Sequence, residues 1–562
     1  MRKTYQRSLA AVAIASLCWG SATQSIAQTA MAQTAPQPID DPVIDVGVVQ
    51  RFGSEPTQTL TIQPPSGQNM TLKFDTNGRE QTLTTANPVE FEIGMMALPQ
   101  PQQIERVLLS SHRSFESAEY SANLWRSKGV EVEIAQPRGW QVWAKRDTYT
   151  TPLLRRLLLQ NLQANGSRTA IIDSQTQTAI PKAAFVLNGF RYQRDRVEIT
   201  IPSQRLFVTR NRERNRRLYA GSLRLQPNAY GTYTLVNPVP IEAYLRGVVP
   251  HEIGTGAPQP AIEAQAILAR TYALRNLRRF AIDDYELCAD TQCQVYEGIG
   301  GAAPNTDRAI TSTRGLVLTH NSELVDALYS STTGGITAPF NDVWNGVERP
   351  YLQAVVDSPQ PIWDLARFPL SDENNFRQFI ARSPDGFNEN GWAQFRWRRE
   401  TTLAEIAAGL RQYLQNTQQP LANLTQVREL QILERSPAGR VQRIAIATDV
   451  GTVELQKDEI LRALFPPTST LFYLDPIYEP LPANAPTPAP DAPPPQRTLK
   501  GYAFVGGGLG HGVGMSQAGS YNLGEMGWTN AQILNFYYPG TQLQPLDTSI
   551  VFWPEGELQS RN

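Results

Sequence analysis

Between Pro480 and Pro495 eight of sixteen residues are proline, and this stretch restricts the fold more sharply than any other part of the 562-residue chain. Proline has no backbone N–H and a fixed φ, so the segment is a stiff, extended spacer that cannot form a packed core. The sequence beyond it, about 65 residues, is marginal as an independent domain. The tail is therefore expected to pack back onto the main body. Elsewhere the chain is 41% hydrophobic and 18% charged, enough for two to four domains with real cores. Its 51 basic and 52 acidic residues nearly cancel. No bulk field gathers nucleic acid or an anionic membrane, and any partner must be recognised locally.

At the start, Arg2, Lys3 and Arg7 precede the apolar run Leu9 to Trp19, and Ala30-Met31-Ala32 follows. Residues 1–32 read as a cleaved secretory signal. No later segment is long enough to span a bilayer, so no transmembrane anchor is expected after cleavage. Of the three cysteines only Cys288 and Cys293 then remain. In an exported protein the pair favours one local disulfide. Half a zinc site is the competing reading, but zinc wants about four ligands and YELCADTQCQVY offers no histidine.

Periodicity divides the mature chain into an α+β protein. Residues 33–100 carry short alternating runs such as Thr59 to Ile62 and Phe91 to Ile93, which read as strands. Residues 101–178 cycle twice through strand and helix: Ala118, Ala122 and Trp125 share one helix face, and Pro152 opens a Leu-rich helix that Asn165-Gly166 ends. These form one small α+β module. Within 179–360, Arg196 to Ile201 and Leu223 to Leu225 alternate as strands, and the basic run Arg210 to Arg217 reads as a solvated hairpin tip. From Pro258 a long helix places Ile262, Ala266, Ala269, Ala273 and Leu277 on one stripe, the pattern of an amphipathic core helix. Residues 361–478 read as an inserted α+β region, with a helix from Thr402 to Leu414 and strands at Glu429 to Leu433 and Arg440 to Ala447. Residues 479–497 are the linker and 498–550 the returning tail.

Three stretches have the residue types of a site. After the short helix Pro240 to Pro250 the chain turns through His251 and Glu252 toward Gly254 and Gly256, where an acid can sit at a cleft mouth; taken alone it is simply an acid ahead of a helix. Leu324 to Gly335 is a strand running into a hydroxyl and glycine loop, with Tyr329, Ser330, Ser331, Thr332 and Gly334. It lacks the Gly-x-Ser-x-Gly elbow and a His-Asp pattern, which argues against a serine hydrolase; hydrogen bonding to sugar hydroxyls suits it better. GGLGHGVGMSQAG, residues 507–519, has six glycines around His511, Ser516 and Gln517. Bare backbone lets a ligand approach closely while those side chains supply donors and acceptors, as the wall of a binding cleft needs. The alternatives are a structural glycine loop around a satisfied histidine, or one ligand of a metal site with no second histidine in sequence reach.

The stretches IEAYLRGVVPHEI, AIEAQAILARTYAL, CQVYEG, LYSSTTGG, YLQAVVD, ILRALFPPTSTLF and GLGHGVGMSQAGSYNLGEMGW occur in the order of the SpoIID/LytB family, over roughly 215–355 and 425–545. The resemblance implies a SpoIID-like catalytic domain and peptidoglycan glycan strands as partner. SpoIID-type members are lytic transglycosylases acting on strands stripped of stem peptides; LytB-type members enhance cell-wall amidases. It implies Glu252 as the catalytic acid, Arg270 as the active-site arginine and Tyr329 at another active-site position. Some members bind zinc beside the CxxxxC segment through flanking histidines; here Ile282 and Gln292 stand at those places, so no metal or other cofactor is expected. The 101–178 module resembles, in pattern, SPOR-like modules that bind peptidoglycan; a structural adaptor is the alternative.

One glutamate suffices for such a cleavage. When the sugar's own C6 hydroxyl attacks, no second carboxylate is needed to activate water or form an intermediate. Glu252 must then be protonated near neutral pH, and Val248, Val249 and Pro250 are suitable apolar neighbours. Direct pairing with Arg270 would oppose that, so Arg270 is assigned to substrate or to orienting the loop. The expectation is an exported, periplasmic or wall-located lytic transglycosylase cleaving the bond between N-acetylmuramic acid and N-acetylglucosamine; the alternative is a noncatalytic, peptidoglycan-binding amidase enhancer.

Overall fold

The computed structural model describes residues 36–417, 419–480 and 497–553. The expected signal segment and most of the proline linker lie outside the described residues. The protein is α+β. A seven-stranded and an eight-stranded sheet share one apolar core, in which Val46, Ile62, Phe91, Ile199 and Leu206 are buried. Alternation places them there: Leu60 and Ile62 point inward while Thr61 does not, and Val197 and Ile199 are buried between exposed Glu198 and Thr200. The strands Arg205–Arg210 and Arg217–Ala220 pair antiparallel, leaving residues 211–216 exposed at a hairpin tip.

The N-terminal module runs β1 (Val89–His112), α1 (Phe115–Ser127), β2 (Val132–Ala135), β3 (Trp140–Ala144), α2 (Pro152–Ala164), β4 (Ile171–Leu187). Its antiparallel order is β4-β1-β3-β2, the split β-α-β arrangement. Thr151 caps α2, with Pro152 in its first turn, and Phe115 and Trp140 pack edge-on beneath α1. The module is not free-standing. β1 also pairs with Leu60–Gln63 through Leu60 and Phe91, so the divisions expected at 100/101 and 178/179 fall inside β1 and β4.

Two helices connect this body to the site: α3 (Ile241–Glu252) and α4 (Gln259–Arg275). Here the structure departs from expectation twice. Pro250 sits inside α3 instead of ending it, so Glu252 is the last helical residue and not part of a turn. Only one hydrogen bond is lost to a proline this close to a helix end, and Gly254, at φ +80°, makes the turn that follows. α4 is buried all round, from Ala261 and Ile262 through Arg275, where one apolar stripe was expected. Its many alanines let neighbours approach every side, as in a central helix.

Beyond the core, the inserted region has its own apolar cluster around the helix Leu403–Asn416 and the sheet Val427–Arg435, Val441–Thr448, Thr452–Gln456. The tail returns as expected. Its strand Leu499–Gly506 is the middle of a three-stranded sheet between Phe472–Tyr478 and Trp397–Thr402. Met515–Ser516 then pairs in parallel with Tyr329–Ser330, and the helix α5 (Gln517–Glu525) packs against α4.

Gly247, within α3, tests how tightly this packing is set. An added Cβ would lie 2.5 Å from the Tyr296 ring and 2.8 Å from the Gly298 carbonyl oxygen. Alanine gains about 1 kcal/mol in helix propensity, but overpacking costs about 1–3 kcal/mol, so Gly247→Ala is expected to lose up to about 2 kcal/mol net, read as a lower denaturation midpoint.

Candidate functional site

Glu252 is presented by the last turn of α3, and its carboxyl Oε1 accepts the backbone N–H of Val295 at 2.7 Å. Gln517, the first residue of α5, donates its Nε2 to the Glu252 carbonyl at 3.1 Å and to Gln265 Oε1 at 3.3 Å. Gln294 donates to the Tyr329 hydroxyl at 3.0 Å, and Tyr244 donates to Gln294 at 3.1 Å. Burial pushes the Glu252 carboxyl above the usual range; hydrogen bonds from Val295, Gln517 and Tyr329 pull partly the other way. Burial, reinforced by Glu252, raises the Tyr329 phenol well above its ordinary value, so it remains a neutral donor.

These groups face a cleft of about 510 Å³ lined by Glu252, Tyr329, Ser330, Ser331, His511 and Gln517 among others. Six of the ten residues expected at the site thus come together. Ser330 Oγ is buried and lacks a hydrogen-bond partner among the described residues. The His511 Nδ1 accepts the Val513 N–H at 3.0 Å, and its ring packs 5.1 Å from that of Trp344. Burial and then the Arg440 charge lower its pKa to about 4, so the imidazole is neutral. Among the described residues the only other carboxylate in the lining, Glu116, is paired with Arg279.

Four expected contacts are corrected. Arg270 does not line the cleft. It is 0% exposed, donating from Nε and Nη2 to Glu242 at 2.8 Å each and to the Leu316 carbonyl at 3.0 Å. A guanidinium this buried needs a matched carboxylate, so Arg270 ties α4 to α3 and acts on Glu252 only through that helix. Thr332 and Gly334 are buried: Thr332 Oγ1 accepts the Leu509 N–H at 2.8 Å, and the Gly334 N–H donates to Glu389 at 2.9 Å. Ser516 is also 0% exposed, caps α5 and donates to Glu389 at 2.6 Å.

The glycines of 507–519 serve mainly packing. A Cβ on Gly514, at φ +73°, would lie 1.9 Å from the Leu328 carbonyl oxygen, and one on Gly512 would lie 2.3 Å from Arg440. Gly510 alone among them lines the cleft, beside Leu509. The structural reading accounts for most of the glycines, while His511 and Gln517 remain at the cleft.

Other lining residues went unread in the sequence. Arg113 and Trp140 come from the N-terminal module, and Arg462 from the inserted region. No motif marks them, because they reach the cleft only through packing between distant segments. Cys288 and Cys293 form a disulfide, and Cys293 lines the same cleft. Among the described residues no group of three or more His, Cys, Asp or Glu is gathered to hold a metal ion, and no helix is long and apolar enough to cross a membrane.

Residues 229–320, which include Glu252 and Arg270, match the family model of stage II sporulation protein, and residues 338–514 match that of a domain of unknown function, DUF8618. The chain is 30% identical over 311 residues to a Bacillus subtilis protein named amidase enhancer, covering 53% of this chain and 40% of that protein. It is 25% identical over 327 residues to an uncharacterised protein of Brachyspira hyodysenteriae, covering 58% and 72% of the two chains. It is also 25% identical over 350 residues to stage II sporulation protein D of Bacillus subtilis, covering 58% and 82%.

Two measurements check the electrostatics. Arg270→Met should cost about 3–5 kcal/mol by stranding Glu242, and adding Glu242→Met should restore much of it, as read by denaturant unfolding of the three proteins. A carboxyl whose folded pKa is raised stabilises fully below its unfolded pKa and loses that contribution as pH rises through the folded value. Glu252→Gln should therefore melt higher than the parent at pH 7.5, with the difference vanishing near pH 4.

Proposed function

This chain carries a domain of the SpoIID/LytB family, and on that premise we propose that it is an exported peptidoglycan-active protein that cleaves glycan strands as a lytic transglycosylase at Glu252. The observation that carries the reading is a half-buried glutamate, its pKa raised, in a cleft whose other described lining carboxylate is already paired with an arginine. A hydrolase would need a second carboxylate free to serve water or form an intermediate. An internal nucleophile removes that need.

Protonated Glu252 donates its proton to the glycosidic oxygen as the bond from C1 of N-acetylmuramic acid breaks. The C6 oxygen of the same sugar then bonds to C1, and its proton passes to the Glu252 carboxylate, closing a 1,6-anhydro ring and restoring the acid. The Val295 N–H steadies the carboxylate between the two steps. The Ser331 hydroxyl and the neutral His511 supply hydrogen bonding to sugar hydroxyls, and Trp344 adds an apolar edge to the cleft wall.

A second reading draws on the relative named amidase enhancer: the same cleft binds glycan without cutting it and a cell-wall amidase is the partner. Mass spectrometry of products from intact and peptide-stripped strands separates the two. Release of 1,6-anhydro ends by the parent, lowered about 100-fold or more in Glu252→Gln, is the expected outcome. Ordinary reducing ends would replace the mechanism with hydrolysis, and strand binding with no release would favour the enhancer.

A further inference from the structure

The loop after Tyr329 is tied down by charged side chains of the inserted region. Glu389 is 0% exposed. Its carboxylate accepts the backbone N–H of Thr333, the Thr333 hydroxyl at 2.8 Å and the N–H groups of Gly334 and Gly335 at 2.9 and 3.2 Å. The carbonyls of the same loop are answered from the same region. Arg440, also 0% exposed, donates to the Thr333 and Ile336 oxygens at 2.7 and 2.9 Å, and Arg396 donates to the Gly334 oxygen at 2.7 Å. Glu389 reaches the second loop as well, by accepting the Ser516 hydroxyl.

Both loops line the cleft. Tyr329, Ser330 and Ser331 precede the clamped segment directly. Ser516 pairs with Ser330 across the short parallel ladder, caps α5, and is followed by Gln517, whose amide holds the Glu252 carbonyl. Resting on the reading of this cleft as the reaction site, we propose that Glu389 is a positioning residue, whose carboxylate fixes both loops so that Tyr329 and Gln517 meet Glu252. The region matched by the domain-of-unknown-function model is then an integral part of the site.

The chemistry requires a carboxylate at this position. Both of its oxygens face backbone N–H groups, Oε1 that of Thr333 and Oε2 those of Gly334 and Gly335. Either orientation of a glutamine turns its NH₂ toward at least one N–H. Asp357 lies beside it. Its Oδ1 accepts from Asn388 at 2.8 Å and Tyr537 at 2.7 Å, and burial followed by the Glu389 charge raises its pKa well above the usual range. A buried charge is costly unless its hydrogen bonds are complete, and five donors complete those of Glu389.

Amide hydrogen exchange by mass spectrometry on Glu389→Gln, with turnover and strand binding, tests the assignment. Ser516→Ala, which removes one donor of the five, is the second variant should the first fail to fold. Protection over 329–335 and 507–517 is expected to fall at least tenfold while α3, α4 and the N-terminal module keep theirs. On peptide-stripped strands kcat should drop about 100-fold, while Kd for the same strands, measured in the Glu252→Gln background, changes less than about threefold. Unchanged protection in the two loops overturns the proposal, as does uniform loss across the protein in both variants or a loss confined to Kd. Should the parent cleave no glycan at all, the reading of the cleft fails by that result, and loop exchange alone decides whether Glu389 sets the loops.

Discussion

The buried ion pair between Arg270 and Glu242 sets where the acid of the cleft stands. Arg270 is enclosed in α4, and its two bonds to Glu242 lock α4 against the first turn of α3. Glu252 is ten residues farther along α3, about 15 Å at the rise of an α-helix. A displacement at the pair is therefore delivered through a rigid element to the reacting group. The pair also explains why the raised pKa of Glu252 survives with an arginine on the neighbouring helix: the guanidinium charge is spent on Glu242.

The cleft joins groups held in contrasting states by their surroundings. Partial burial favours the protonated form of Glu252 and keeps Tyr329 a phenol, and burial beside Arg440 keeps His511 an uncharged imidazole. Such a surface is rich in neutral donors and acceptors, suited to a hydroxylated ligand. Its walls come from three parts of the chain: Arg113 and Trp140 from the N-terminal module, Glu252 and Tyr329 from the core, and Arg462 from the inserted region. The cross-link between module and insert is direct, since Arg113 packs its guanidinium over Tyr413, pairs with Glu459 at 3.3 Å and accepts Arg462 at its carbonyl.

Much of the architecture was legible because it rests on period and punctuation. The alternation of Val197 and Ile199, the proline opening of α2, the solvated Arg210 to Arg217 tip and the return of the tail all follow from local chemistry. The reading failed where several neighbours shape one element. α4 has a stripe of apolar residues, yet it is buried on every side because α3, α5 and the strand Leu316–His320 all pack on it. Likewise Pro250 marks a helix end in sequence, and tertiary contacts carry the helix through it to Glu252.

At the site, the residue types and their order were in the sequence: a glutamate after an apolar run, a hydroxyl and glycine loop, and a histidine among glycines. Their faces were not. Ser330 and Thr332 are near neighbours in one motif, yet Ser330 lines the cleft and Thr332 is bonded to Leu509, because the short strand ends at Ser330 and the loop beyond it runs against the Leu509 backbone. Arg270 pairs with a glutamate on another helix, and Glu389 serves loops far from it in the chain. Buried charges choose partners by distance and geometry in three dimensions, which no spacing in one dimension encodes. The sequence determined which chemistry was available; the tertiary structure decided which side chains face the cleft and which hold it in place.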